Sequence, residues 1–146
     1  MHNTNLKAIV GELKSMTEFV KLGYTIFAPV SDGNDPFDFI AYKNKNLIKV
    51  EVKSTSVSDR PGTYTATISS TRSNNTSTKI KYFDPNNCDI LSIYIVPLDI
   101  VCFIKSNEIE SKKAIVFREK PSNSVYMKNH KQRVISDYIN LKKILS

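Results

Sequence analysis

Three charged residues, Asp38, Glu51 and Lys53, bracket the stretch D-F-I-A-Y-K-N-K-N-L-I-K-V-E-V-K. Side chains on a strand alternate between faces with period two. In the run Leu47–Lys53, Ile48, Val50 and Val52 therefore share one face, and Lys49, Glu51 and Lys53 the other. A hairpin turn at Lys43–Asn46 folds Phe39–Tyr42 back on this run and brings Asp38 beside Glu51. Two carboxylates and one ammonium then converge on one edge of a sheet. That set suits metal-assisted phosphodiester hydrolysis. Hard carboxylates hold Mg²⁺, which keeps several waters and binds substrate phosphate. The ion acidifies water and offsets charge on phosphate oxygens. Lys53 is placed to position the attacking water or to offset negative charge. The competing reading is a solvent-facing hairpin with an ordinary E-x-K ion pair.

The elements around this hairpin are legible from periodicity. Leu6, Ile9, Val10, Leu13, Met16, Phe19 and Val20 recur at helical spacing, which predicts an amphipathic helix from Thr4, its cap, to about Lys21. Gly23 is placed to end it in the left-handed conformation. Glu12 lies beside the apolar stripe, one residue from Leu13, where it either snorkels to the surface or adds a third acidic group to the site. A first strand is expected over Tyr24–Val30 and a turn over Ser31–Pro36. Asp32 and Asp35 serve that turn; Asp38 is better placed because a strand follows it.

Beyond Lys53 a polar loop precedes an alternating strand, Thr63–Ser69. Ser70–Thr78 reads as a long Ser/Thr/Asn-rich loop. Its hydroxyls and amides, with Arg60, Arg72, Lys79 and Lys81, suit phosphate and groove contacts. Cys88–Val96 is nearly all apolar, the mark of a strand buried on both faces, and Ile100–Ile104 is its partner. Ala114–Arg118 is a further short strand. Ser136 caps a final helix built on Ile135, Tyr138, Ile139, Leu141, Ile144 and Leu145. The architecture expected is α/β, a mixed central sheet of about five strands flanked by the N- and C-terminal helices.

Composition narrows the class. The 146 residues suffice for one domain, and mean hydropathy is −0.28. No run approaches the ~20 apolar residues of a membrane span, and Met-His-Asn-Thr-Asn is not a signal peptide. Cys88 and Cys102 make no disulfide framework, which points to a reducing, cytoplasmic setting. With His2 and His130 the only histidines, a Cys/His zinc site is disfavoured. The formal charge is +7, unevenly spread: residues 1–104 hold 11 Lys/Arg and 10 Asp/Glu, residues 105–146 hold 10 and 4. A basic C-terminal part carrying Lys128, Lys131 and Arg133 suits a polyanion, although a solubilising surface has the same composition. His130 is a general base by type, but an exposed or phosphate-contacting histidine is the simpler reading.

Asp38 followed by Glu51-Val52-Lys53 resembles the core of the PD-(D/E)XK nuclease superfamily, with Phe37 in place of the proline that names the motif. Gly11-Glu12 resembles the helix glutamate of the archaeal Holliday-junction-resolvase-like branch. The runs Lys81-Tyr82-Phe83-Asp84, Asp89-Ile90-Leu91 and Ile95–Asp99 resemble that branch too, and recur in small group I intron homing endonucleases on the same core. The resemblance spans about residues 4–104 and implies a restriction-endonuclease-like nuclease core over 1–104. Residues 105–146 then form a basic extension that packs on the core or makes an oligomer or DNA interface, within a single domain overall. It implies Mg²⁺, with Mn²⁺ as a substitute, held by Asp38, Glu51, the Val52 carbonyl and Glu12. Lys53 orients or activates water. The partner implied is double-stranded DNA. The first functional expectation is a sequence-specific homing endonuclease; the second is a junction resolvase. Either acts as a homo-oligomer, dimer or tetramer, because duplex cleavage takes two active sites. A non-catalytic DNA-binding module is the alternative of another class.

Overall fold

The computed structural model describes residues 3–30, 35–55 and 60–146. Helix α1 spans Thr4–Lys21. Strands β1 (Thr25–Phe27), β2 (Phe39–Lys43) and β3 (Asn46–Thr55) follow. Next come β4 (Thr63–Thr67), β5 (Ser70–Ser73) and β6 (Thr78–Lys81). Then β7 (Ile90–Ile95), β8 (Ile100–Lys105), β9 (Ala114–Arg118), β10 (Arg133–Val134) and a short helix α2 (Leu141–Leu145) complete the chain. The expected α/β architecture is present. A five-stranded sheet runs in the order β1-β2-β3-β7-β8, and β3–β7 is its one parallel pair. A parallel pair needs a long crossover, and here the crossover contains β4, β5 and β6. Strand β4 pairs with β9, and β9 with β10, in a second sheet.

The β2–β3 turn has positive φ at both central residues, Asn44 (51°) and Lys45 (66°). Primed turns of this kind match the right-handed twist of the strands they join. The turn fixes the register Phe39↔Val50 through Lys43↔Asn46, and continuing it by one step sets Asp38 against Glu51.

Two apolar clusters sandwich the central sheet. One holds Phe19 of α1 with Phe39, Ala41, Val50, Phe103 and Leu141. Phe19 meets Phe39 and Phe103 edge-on at 5.7 and 5.9 Å, and emptying such a site costs about 3–5 kcal/mol. The other joins Leu91, Ile93 and Ile104 to Tyr64, Ala66, Ile115 and Phe117 of the second sheet. Strand β7 is buried along its whole length, as its continuous apolar run predicts. Residues beyond 104 supply Ile115, Phe117, Ile135 and Leu141 to these clusters.

Several local expectations change. Asn3 rather than Thr4 caps α1, its Oδ1 accepting from the Asn5 N–H at 2.9 Å, while Gly23 is left-handed (φ 85°) as expected. The helix buries Gly11, Ser15 and Phe19; Leu6, Ile9, Leu13 and Val20 stay more than half exposed. Small residues at Gly11 and Ser15 let the helix approach the sheet closely, which turns the larger apolar side chains outward. The first strand is only Thr25–Phe27, and β4 ends at Thr67. Ser70–Thr78 is mostly a hairpin rather than a loop. Instead of one helix from Ser136, the C-terminus forms a 3₁₀ turn, Ile135–Asp137, and α2 capped by Asn140. The Ser31–Asn34 part of the expected turn, with Asp32, lies outside the described residues.

Candidate active site

Where β2 begins and β3 is mid-course, Asp38 bridges the strands with both ends. Its N–H donates to the Val50 carbonyl at 2.8 Å. Its Oδ2 accepts the Val52 N–H at 2.6 Å. Burial lifts the Asp38 carboxyl above its ordinary value, opposed by that Val52 N–H and by the Lys53 charge. Val50 points to the α1 side and is fully buried; by strand alternation Glu51 and Lys53 point to the other. There the Lys53 Nζ lies 3.0 Å from Glu51 Oε1, with both side chains mostly buried. The Cys88 thiol faces Glu51 Oε2 at 3.9 Å. Burial first, then the Glu51 charge, pushes that thiol up to about 12, so it stays protonated at neutral pH.

Four of these residues line a cleft of about 190 Å³. One wall is Asp38, Glu51, Val52 and Lys53. The other is Ser70, Lys81, Tyr82, Phe83 and Asp84, from the base of the β5–β6 hairpin and the segment after it. Asp35 also lines it. Glu12 stands apart: it does not line the cleft, but its carboxyl is raised by burial and by repulsion from Asp38. The Asp38 charge thus reaches Glu12 on α1.

The other candidate residues are spread more widely. Lys81 reaches the cleft. Lys79 is exposed on β6. Arg72 is in β5 opposite Lys79, and its side chain lies outside what is described. Arg60 sits at an isolated bridge to Thr63. Lys128 and Lys131 are exposed in the segment before β10. Arg133 donates through Nη2 to the Glu108 carbonyl at 3.3 Å. The His130 ring lies 5.3 Å from that of Tyr126, tilted by 38°, and does not line the cleft. Asp84 and Asp35 were not singled out as site residues from sequence. The only signal for Asp84 was the Lys81–Asp84 run, and Asp35 looked like turn chemistry.

The donor set suits a hard divalent cation. Asp38 and Glu51 offer carboxylate oxygens, and Val52 a backbone carbonyl, on one wall. Among the described residues no three His, Cys, Asp or Glu side chains form a ready metal cage. Mg²⁺ is commonly held by one or two carboxylates, with waters and phosphates completing the octahedron, so a two-carboxylate wall fits it.

The chain matches the PD-(D/E)XK endonuclease family over residues 2–138. It belongs to that family. Membership makes it a nuclease by reaction class. No curated protein sequence matches it. Its fold is similar to that of I-Ssp6803I, a bacterial homing endonuclease, with TM-score 0.77 and 20% identity, over 98% of this chain and 93% of the other. At that identity the likeness is one of fold, and this PD-(D/E)XK chain keeps the nuclease architecture almost end to end.

Proposed function

We propose that this chain is a metal-dependent DNA endonuclease whose active site is the cleft wall of Asp38, Glu51, Val52 and Lys53. The observation that carries the reading is the Lys53–Glu51 pair at 3.0 Å beside an Asp38 carboxylate clamped to the Val52 N–H. Asp38, Glu51 and the Val52 carbonyl hold Mg²⁺, or Mn²⁺ in its place. The ion, when bound, lowers the pKa of water and neutralises phosphate charge. Lys53 donates to the attacking water or to a phosphate oxygen, where a preorganised ammonium offsets the charge that develops. Glu12 orients water from the helix side of the rim. Double-stranded DNA is the substrate; the net charge of +7 favours its phosphates.

Within that class we favour site-specific cleavage of long duplex targets, as in homing, since the structural relative carries that description. Two cuts need two copies. Support for a homo-oligomer comes from α1, where Leu6, Ile9, Leu13, Met16 and Val20 follow the alternating three- and four-residue spacing of a coiled-coil seam. Four of these are more than half exposed, on the face opposite Gly11, Ser15 and Phe19. They present on the order of 400 Å², about half of the ~800 Å² each partner of a stable pair buries. The seam carries no charge, which suits a second copy of itself better than DNA.

The experiment offers purified protein, in Mg²⁺, a library of long linear duplexes beside branched junctions of unrelated sequence. Cleavage at one extended duplex site supports homing. Nicking of every junction regardless of sequence would replace homing with resolution. Binding without cleavage of any substrate, in Mg²⁺ or Mn²⁺, would overturn the nuclease and leave a DNA-binding module.

A further inference from the structure

The β5–β6 hairpin is the one sheet among the described residues that adds nothing to either apolar cluster. None of its described side chains is buried, and Ile80 is half exposed. An isolated two-stranded ribbon is marginal on its own in water, so its retention calls for a partner outside the chain. Charge identifies the partner's class. From Arg60 to Phe83 there is no Asp or Glu, while Arg60, Arg72, Lys79 and Lys81 are basic.

Register decides which way the basic residues face. Ser70 pairs with Lys81 and Arg72 with Lys79. Directly paired residues share a face, and so do residues two apart. Ser70, Lys79 and Lys81 therefore occupy one face of the ribbon. Ser70 and Lys81 line the cleft, so the basic face continues outward from the cleft wall. The ribbon's base is tied down by backbone bonds: the Ile68 and Ser69 N–H groups donate to the Lys113 carbonyl at 2.8 and 3.1 Å, and the Phe83 N–H to Lys112 at 3.0 Å. Its tip is organised by Asn74, whose Oδ1 accepts the Ser77 N–H at 2.7 Å and the Thr76 N–H at 3.3 Å. A ribbon anchored at the base and locked at the tip loses little freedom on docking.

We propose that β5–β6 is a DNA-reading ribbon that enters the major groove beside the cut, with Lys79 facing base edges. This deepens the nuclease reading and rests on it for the identity of the substrate. Strands about 4.8 Å apart fit a B-DNA major groove about 12 Å wide, where each base pair shows its own donors and acceptors. The deep, narrow major groove of A-form RNA would exclude them. Each strand of the ribbon has four residues. Lys79 lies two residues outward from the cleft-lining Lys81, which at roughly 3.3 Å per residue is ~7 Å beyond the cleft. That is about two base pairs at ~3.4 Å each. The ribbon is thus the element that sets sequence preference about two base pairs from the scissile phosphate.

The test uses the full chain with Lys53→Ala, so that binding is read without cleavage. Duplexes selected from a random library are methylated at guanine N7 with dimethyl sulfate, and bound and free fractions are compared. The expected result is interference confined to guanines about two base pairs from the position that wild type cuts. Lys79→Ala should erase that interference and lower discrimination between selected and random duplex on the order of 10- to 100-fold. Replacing residues 72–79 by Asn-Gly, which joins the paired Thr71 and Ile80 and removes Lys79, should do the same with the melting temperature retained, because the ribbon supplies no core residue. An absence of N7 interference there overturns the proposal, and so does a shortened ribbon that discriminates as well as wild type. If wild type binds but never cuts, the nuclease reading fails by itself, and the ribbon is still judged on interference within its own binding footprint.

Discussion

Gly11→Ala is a one-methyl test of how closely α1 approaches the sheet. A Cβ at Gly11 would stand 3.0 Å from Tyr94 Cβ, 3.1 Å from Ser54 Oγ and 3.3 Å from Tyr94 Cδ1. Carbon atoms prefer about 3.5–4.0 Å. Tyr94 has little room to yield: it is buried, and its hydroxyl donates to Asp99 Oδ1 at 2.7 Å. On helix propensity alone, alanine would stabilise an interior helical position by about 1 kcal/mol. Overpacking a tight contact costs about 1–3 kcal/mol. The contact wins, and a net loss of about 1 kcal/mol lowers the melting temperature by about 2–4 °C for a chain of this size. Glu12, the next residue, is lifted with the helix, so under the role proposed for it cleavage in Mg²⁺ at a temperature well below melting falls as well. Thermal denaturation by circular dichroism gives the first quantity, and initial cleavage rates give the second. A melting temperature that rises by a few degrees would refute the close approach, because it would show propensity acting without a clash.

Further predictions follow from the same geometry. Ser15 Oγ donates to the Gly11 carbonyl at 2.7 Å and, fully buried, meets Ser92 Oγ at 2.5 Å. Ser15→Ala strands Ser92 and costs about 1–3 kcal/mol by urea denaturation, and adding Ser92→Ala recovers part of that loss; purely additive costs would contradict the coupling. Because burial raises the Asp38 carboxyl, its charged form opposes folding above the folded pKa, and the penalty vanishes below the unfolded value. Asp38→Asn should therefore raise the melting temperature of the metal-free protein at pH 7, with the gain fading once the pH falls below the ordinary carboxylate range; an equal gain at pH 3 and pH 7 would contradict this. Leu13→Asp puts a charge in the exposed α1 seam and should halve the mass seen by light scattering without unfolding the chain; an unchanged mass would remove α1 from the interface.

Legibility from sequence followed the distance over which each feature is determined. Strand β3 was readable because alternation alone puts Val50 and Glu51 on opposite faces, and β7 because a run apolar but for Ser92 has no polar face to expose. Helix α1 was readable as a helix, but its buried face was not. Apolar periodicity pointed to Leu6, Ile9 and Leu13, whereas the contact is made through Gly11 and Ser15, whose value lies in being small. The β5–β6 hairpin has no hydrophobic period to betray it; Asn74 and its turn bonds hold it. The second cleft wall at Lys81–Asp84 lies about thirty residues beyond Lys53 in sequence, and the β4–β9 pair brings together residues as far apart as Thr63 and Arg118. Local pattern carries no such information. Asp38, Glu51 and Lys53, by contrast, lie within one hairpin, and their juxtaposition follows from its turn and register.

The central claim is that the Glu51–Lys53 pair and Asp38 form a metal-dependent nuclease site. Its most direct measurement is conversion of supercoiled plasmid, or a selected duplex target, in Mg²⁺, with wild type beside Glu51→Gln and Lys53→Ala, EDTA as control and DNA binding measured in parallel. The account predicts that wild type cuts and EDTA stops it. Each variant should bind DNA normally while its cleavage falls by about a hundredfold or more. Wild-type rates in either variant, or cleavage undiminished in EDTA, would contradict it.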